Sequence, residues 1–309
     1  MHIIPSTVPQ SRYAEEVDMK IWIHADDYGI TTDQALSILA LSSSCGGTGA
    51  LNSVSAFANS PAFQESAQFA RPFVESKALS VSVHINLVEG PCVSDPSTVP
   101  LLVNERGTFA HDFAGLVKLG KWETREAACE QVKRECIAQI ERFLQAFPTE
   151  QRALNVDSHQ HVHMIPFVFD ALVDAAQSLG CHIDYLRIPV EPVAPVGLRR
   201  VLSANGAKNL ILNHYAKRNL RLMPAGANRA LFSGVMLSGH MQDLTYPMLN
   251  RLISLARTRE QNLEVLFHPV SVPHDLCLDP LNEPFTAACA SPNRDAEALR
   301  IAQLDPIVA

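Results

Sequence analysis

The amino-acid sequence predicts an α/β fold built from parallel β-strand and α-helix units in a single domain. Short apolar runs alternate with longer amphipathic runs along most of the 309 residues, which is typical of parallel βα units. No internal repeat and no convincing linker divides the chain, and single α/β domains of this length are common. One large domain is therefore the economical interpretation.

The first half of the chain alternates three predicted strands with two predicted helices. Residues 1–18 precede them as an extended tail, in which Pro5 and Pro9 oppose helix formation. Thr31 or Thr32 can cap the first helix. In chain order, we expect a strand at 19–24, a helix from this cap to about 44, a strand at 51–57, a helix from Ser60-Pro61 to about 71, and a strand at 78–87.

The stretch 88–122 breaks this alternation. It is rich in Pro, Gly and Ser and has no sustained hydrophobic period. Such a long connection is unusual in a compact domain unless it has a function, so we interpret it as an excursion over one mouth of the fold. A disordered surface insertion is the alternative.

The second half returns to the alternation of strands and helices. Apolar residues recur at helical spacing over 123–147. Pro166 can begin a helix and Gly180 can end it. The predicted elements that follow are a strand at 152–156, a helix at 166–179, a strand at 181–188, a Pro-rich connector at 190–195 before a helix of uncertain extent, a strand at 230–237, a helix at 246–258, a strand at 262–267 and a helix at 294–304.

Composition limits the possible partners and location. The net charge is −7 and there is no block of Lys or Arg, so a nucleic-acid partner is not expected. The first 20 residues lack the basic and apolar regions of a signal peptide, and no apolar run reaches the length of a membrane span. Seven scattered cysteines without CxxC spacing favour reduced thiols, and hence a cytoplasmic protein.

Three histidines, His159, His161 and His163, alternate within five residues between a predicted strand and a predicted helix. Neutral imidazole is a common ligand of transition-metal ions and titrates near neutral pH. The cluster therefore indicates a metal site or a proton-transfer site. A polar loop with some satisfied core imidazole is the alternative.

Five other polar residues also lie at the carboxyl ends of predicted strands. In an α/β barrel, the loops at this end of the strands form the active site. The five residues are Asp26, Asp27, His84, Arg187 and His268. Adjacent carboxylates repel each other, and a nearby cation relieves that repulsion. One carboxylate and two imidazoles can form a metal site with open positions. Taken singly, the Asp pair could be a turn or helix cap, and His84 could be a core histidine.

The sequence contains no GxSxG, GxGxxG or GxxxxGK[ST] motif, so a serine hydrolase, a dinucleotide-binding protein and a P-loop protein lack support. Four ordered motifs instead resemble those of the YdjC-like (ChbG/HpnK) carbohydrate deacetylases. They are Ala25-Asp26-Asp27-Tyr28-Gly29, His84-Ile85-Asn86-Leu87 with Glu89-Gly90, Asp157-Ser158-His159-Gln160-His161-Val162-His163, and Phe267-His268-Pro269. The resemblance covers about residues 19–270. It implies a distorted TIM-like (β/α) barrel, one divalent metal ion, Mg or Zn, and removal of an acetyl group from an N-acetylated amino sugar.

The resemblance also implies a role for individual residues. The metal ligands would be Asp27, His84 and His159, with Asp26 as general base. By similarity to wider polysaccharide-deacetylase chemistry, His268 is the candidate general acid, although a turn residue is its alternative. The residues expected to line the pocket, orient ligands or contact substrate are His161, His163, Asn86 and Arg187.

Two other functions remain open on the sequence. One is a metal-dependent phosphoesterase or sugar isomerase on a similar barrel, and the other is a catalytically silent barrel that binds sugar. The chain has about 18 residues before its first strand that members of the family usually lack. Residues 88–122 and 190–230 match no family segment that we can align, so the substrate, an N-acetylated amino sugar or a glycosylated small molecule, is not determined. We expect a small-molecule sugar as partner and a homodimer as the assembly.

Overall fold

A computed structural model describes residues 19–305, and the extended tail expected at residues 1–18 lies outside the described residues. The strands are β1 (Ile21–Tyr28), β2 (Ser53–Ala56), β3 (Ser80–Ile85), β4 (Ala153–Ser158), β5 (His182–Leu186), β6 (Ala230–Ser233) and β7 (Asn262–Phe267). They form one parallel sheet in the spatial order β5, β4, β3, β2, β1, β7, β6.

The sheet curls until its two edge strands approach each other. Residue Asn228, just before β6, forms a parallel bridge with Tyr185 on β5. The backbone N–H of Leu186 donates to the Asn228 carbonyl at 3.0 Å, and the N–H of Asn228 donates to the Asp184 carbonyl at 2.8 Å. The predicted α/β fold class, a single-domain distorted TIM-like barrel, is therefore confirmed.

The helices are α1 (Thr32–Leu39), α2 (Phe63–Glu75), α3 (Phe113–Leu119), α4 (Arg125–Ala146), α5 (Pro166–Ser178), α6 (Val193–Val196), α7 (Ala204–Asn219), α8 (Tyr246–Thr258), α9 (Glu283–Cys289) and α10 (Pro292–Gln303). The bounds of α8 and β7 coincide with the predicted ones. Three short helices, α3, α6 and α9, were not predicted, and α6 lies in the stretch predicted as a Pro-rich connector. No helix within the described residues 19–305 is both long enough and apolar enough to cross a membrane.

The region of α1 differs from its prediction at the carboxyl end. Thr31 is the N-cap, as expected, and its side chain accepts a hydrogen bond from the N–H of Gln34. The helix ends at Leu39 rather than near residue 44, because the chain turns back on itself. A Cβ atom at Gly47 would lie 2.1 Å from the carbonyl oxygen of Ala40, so only glycine fits this close backbone contact.

Segment 88–122 is folded against α4, which contradicts a disordered insertion. The Glu135 carboxylate accepts the backbone N–H groups of Val93 and Ser94, each at 2.9 Å. Leu102 and Val99 are fully buried. The body of the segment thus packs on a helix, while Glu89, near its start, reaches the cavity described below.

The interior of the barrel is polar where the strands approach their carboxyl ends. His24 on β1 forms hydrogen bonds with Ser53 at 2.8 Å and Ser55 at 2.6 Å on β2. Tyr185 on β5 donates to Glu264 on β7. These side chains cross the inside of the barrel, whereas the apolar core lies between the sheet and its helices.

Candidate active site

A cavity of about 380 Å³ opens at the carboxyl ends of the strands. The end of β1 and the loops after β3, β4, β6 and β7 line it, together with residues of α7, α9 and α10. Five of the residues predicted from the sequence contribute to its wall, namely Asp26, Asp27, His159, His161 and His268. This position is the active-site face of an α/β barrel.

A break in the pairing of β1 places both carboxylates at the cavity. Successive side chains of a regular strand point to opposite faces. The register between β1 and β2 shifts between Ala25 and Tyr28, and Asp27 has a left-handed φ of 63°. Such a bulge re-aims side chains, so Asp26 and Asp27 can both face the cavity. The pair therefore lies within the end of the strand, not in a loop after it.

Asp27 is fully buried among cationic and imidazole groups. Its Oδ1 lies 3.1 Å from His159 Nδ1 and 3.6 Å from His84 Nε2, while its Oδ2 accepts a hydrogen bond from Arg294 Nη2 at 2.6 Å. Burial opposes ionisation, but the Arg294 guanidinium and the His159 ring outweigh it and hold the pKa of Asp27 well below its usual range.

Asp27, His84 and His159 each offer one donor atom, and these atoms lie within 4.8 Å of one another. The Nε2 atoms of His84 and His159 are buried and have no hydrogen-bond partner within residues 19–305. His84 Nδ1 is 2.5 Å from Asp157 Oδ1, so a carboxylate orients this ring, as is common behind metal-ligating histidines. Unpaired buried imidazole nitrogens beside a carboxylate fit a metal ion.

The charge around these donors also fits a divalent cation. Four buried carboxylates, Asp26, Asp27, Asp157 and Glu264, surround two buried guanidiniums, Arg187 and Arg294. With neutral histidines, this leaves a net charge of minus two. Buried charge is costly unless it is compensated. In the absence of an ion, His84 compensates in part: burial lowers its pKa, but Asp26 and Asp157 outweigh burial and raise it to about 10.

Asp26 is held by Arg187. Both carboxylate oxygens accept hydrogen bonds from this guanidinium, at 2.9 Å each. Burial favours the neutral acid, but Arg187 outweighs burial and keeps the pKa of Asp26 well below its usual range. His268 Nε2 lies 4.0 Å from Asp26 Oδ2. Burial lowers the pKa of His268 to about 4, so this ring is neutral near pH 7.

The three histidines of the motif occupy three different positions. Gln160 and His161 adopt left-handed φ angles of 51° and 60°, which separates the rings. His159 faces Asp27, while the ring of His161 lies edge-on to that of Phe232 with centroids 5.8 Å apart. His163 is fully buried, and its Nε2 is 2.8 Å from the carbonyl oxygen of Arg187.

Three predicted substrate contacts lie below the cavity wall and do not line it. Arg187 is fully buried, and besides Asp26 it donates to Glu264 at 2.7 Å. Asn86 is buried too, and its Oδ1 accepts the N–H groups of Val88 and Glu89. His163 is the third. The structure gives these residues partners inside the protein, where they shape the loops and orient Asp26.

A family model for YdjC-like proteins matches residues 20–303. The chain belongs to the YdjC-like protein family. It is 31% identical to a carbohydrate deacetylase of Geobacillus stearothermophilus over 171 residues, which are 55% of this chain and 58% of that protein. It is 31% identical to a chitooligosaccharide deacetylase of Salmonella typhimurium over 163 residues, 51% of this chain and 56% of that protein.

The matched segments thus span only a little more than half the length of these relatives. A carbohydrate deacetylase of Danio rerio is 26% identical over 174 residues, 56% of this chain and 51% of that protein. The crystal structure of a proposed cellobiose-phosphate cleavage protein from Enterococcus faecalis superposes with a TM-score of 0.62 at 19% identity, covering 94% of this chain and 92% of that one. That likeness supports the fold.

Several polar residues at the cavity of this YdjC-like protein were not predicted as site residues from the sequence. Arg294 on α10 binds Asp27, and Glu297 accepts the backbone N–H of His268 at 2.6 Å. Glu89 belongs to one of the four motifs, but the sequence predicts no role for it. It accepts hydrogen bonds from Gln160 at 2.9 Å and Asn282 at 2.6 Å, and burial, with nearby Asp279 and Asp27, raises its pKa to about 8.

Proposed function

We propose that this chain is a metal-dependent deacetylase that removes the acetyl group from an N-acetylated amino sugar. One observation carries the proposal: the donor atoms of Asp27, His84 and His159 meet at a cavity whose wall also holds Asp26 and His268. Membership in the YdjC-like family and the names of its relatives as carbohydrate deacetylases support it.

The three donors would hold the ion. Two imidazoles and one carboxylate suit zinc and related transition metals, whereas magnesium prefers an all-oxygen environment. We therefore favour zinc over magnesium. A divalent ion bound there supplies Lewis acidity toward an amide carbonyl and toward water.

Asp26 is the proposed general base. Arg187 keeps its carboxylate ionised near pH 7 and fixes its orientation through two hydrogen bonds. Its Oδ2 can accept the proton that a water molecule loses as it attacks the acetamide carbonyl. Because Arg187 is itself held by Glu264 and Asp157, the base is positioned by a rigid set of buried groups.

His268 is the proposed proton donor to the leaving amine, since an amide nitrogen must be protonated before its bond to carbon breaks. The ring is neutral in the resting protein, and Asp26 Oδ2 lies 4.0 Å away. The proton taken by Asp26 therefore needs only a short transfer to reach His268. Glu297 fixes this residue through its backbone N–H.

We also place the protein in the cytoplasm. All seven cysteines are free thiols in the region that the structure describes. Free thiols are the usual state in a reducing compartment.

Acetate release from a panel of N-acetylated amino sugars tests the function. Protein stripped of metal and then loaded with zinc should release acetate, and Asp26→Asn should lower kcat on the order of 10²- to 10⁴-fold. The matched control is Asp184→Asn, which changes a half-exposed aspartate of β5 away from the cavity. The proposal fails if no sugar of the panel is deacetylated, or if both variants behave alike.

A further inference from the structure

Lys208 on α7 is an unpaired cation in the cavity wall. The acidic and basic side chains that line the cavity are Asp26, Asp27, Glu89, Glu297, Arg294 and Lys208. Each of the first five has a protein partner. Lys208 alone among them makes no hydrogen bond or ion pair with any residue between 19 and 305.

The surroundings of Lys208 disfavour its charged form. Lys208 is only partly exposed, and burial lowers its pKa against the attraction of Asp26. A charged group without a protein partner in a partly buried cleft loses some of its hydration, and such groups are candidates for ligand binding. Lys217, on the same helix, is by contrast exposed to solvent and does not line the cavity.

His161 adds a second unpaired group to the same wall. Its Nδ1 is buried and finds no partner in the described part of the chain. The charge of Lys208 acts on this ring, so the two side chains are neighbours in the cavity wall. Lys208 and His161 thus form a polar corner of the cavity that shares no residue with the Asp27, His84 and His159 set.

We infer that Lys208 binds a carboxylate carried by the substrate, so that the substrate class is an acidic N-acetylated amino sugar. The inference rests on the proposed deacetylase function. A single unpaired ammonium matches a single negative charge. A phosphate is commonly recognised through additional donors such as an arginine fork or a helix N-terminus. Arg294 donates through Nε to the Ala288 carbonyl and through Nη2 to Asp27, and only its Nη1 has no partner within residues 19–305, so it has no pair of free N–H groups to offer a phosphate as a fork.

Three sugars distinguish the possible substituents. They are N-acetylglucosamine, which is neutral, N-acetylmuramic acid, which carries one carboxylate, and N-acetylglucosamine 6-phosphate. In the zinc-loaded full chain, Lys208→Gln should lower kcat/KM for the carboxylate sugar on the order of tenfold or more beyond its effect on the neutral sugar, because a hydrogen bond to a charged group is lost. The loss should appear mainly as a higher KM. Lys208→Arg should retain most of the preference, and Lys217→Gln should match the wild type.

A binding measurement separates this inference from the proposed function. Calorimetry on metal-free wild type and Lys208→Gln requires no turnover, and the variant should bind N-acetylmuramic acid at least tenfold more weakly. If no sugar releases acetate, the deacetylase assignment fails, yet this difference in binding still supports the carboxylate site. Equal losses for neutral and carboxylate sugars would overturn the inference, and so would a larger dependence on Lys208 for the phosphate sugar.

Discussion

Two of the regions that build the cavity differ in kind: the strand ends of β1, β3, β4 and β7, and a C-terminal cap formed by α9, α10 and the preceding Asn282. The strand ends supply the proposed reactive groups. The cap supplies partners for them, since Arg294 binds Asp27 and Asn282 binds Glu89. The ring of Phe285 also lies 5.6 Å from that of His159. The reactive groups are therefore local to the sheet, whereas part of their electrostatic environment comes from the C-terminal cap.

Arg294→Gln should have the largest effect on stability, because the cap then no longer provides a partner for the buried Asp27 carboxylate. The variant leaves the buried Asp27 carboxylate without its guanidinium, and breaking a buried ion pair costs about 3–5 kcal/mol. We expect the free energy of unfolding of the metal-free protein to fall by about that amount in chemical denaturation. Zinc should restore part of the loss, because the ion then compensates Asp27.

The exposed arginine Arg257 on α8 provides the control for this experiment. Arg257→Gln should change the free energy of unfolding by less than about 0.5 kcal/mol. An equally small change in Arg294→Gln, with or without zinc, would show that the cap and the strand ends are energetically independent.

The same difference explains how far the sequence could predict the site. Asp26, His84, His159 and His268 lie at or just after the carboxyl ends of predicted strands, and the ends of parallel strands converge on one face, so position along the chain was enough to group them. Arg294 lies 267 residues from Asp27, and no local pattern marks a helical arginine that meets a strand end through tertiary packing.

The fold shows the same limit at the scale of helices. The long helix α4 and the capped helix α8 have clear apolar periodicity, and both were predicted. The helices α3 and α9 have only seven residues each, too few for a hydrophobic period to emerge from a Pro-rich or Ser-rich context. They are stabilised by the surfaces on which they pack, which a single sequence does not display.

Asn282→Ala tests a weaker link between the two regions. The Asn282 side chain caps α9 through the N–H of Phe285 and donates to Glu89 at 2.6 Å. Losing a cap costs about 1 kcal/mol, and losing the hydrogen bond to the buried Glu89 adds about 1–3 kcal/mol. Thr245→Ala, which removes the cap of α8 at an exposed residue, is the matched control. Equal destabilisation of the two variants would mean that the bond to Glu89 contributes nothing to stability.

The smallest expected effect is the protonation of a single ring, that of His84, and only residues at the strand ends cause it. In the metal-free protein, Asp26 and Asp157 raise the pKa of His84 to about 10, whereas burial lowers that of His163 to about 4. Long-range ¹H–¹⁵N spectra at pH 8 should therefore show a charged ring for His84 and a neutral one for His163.

The attraction between the charged His84 ring and the carboxylates of Asp26 and Asp157 also makes stability depend on pH. It stabilises the folded protein fully below the unfolded pKa of about 6.5, and this contribution is lost as pH rises through about 10. Since zinc must displace the proton of His84 in order to bind this ring, the affinity for zinc should increase as pH rises from about 6.5 to about 10. A neutral His84 ring at pH 8 would contradict both the expected charge and the expected rise in zinc affinity. If Arg294→Gln changes the pKa of His84 by more than about one pH unit, the cap also controls the protonation of this ring.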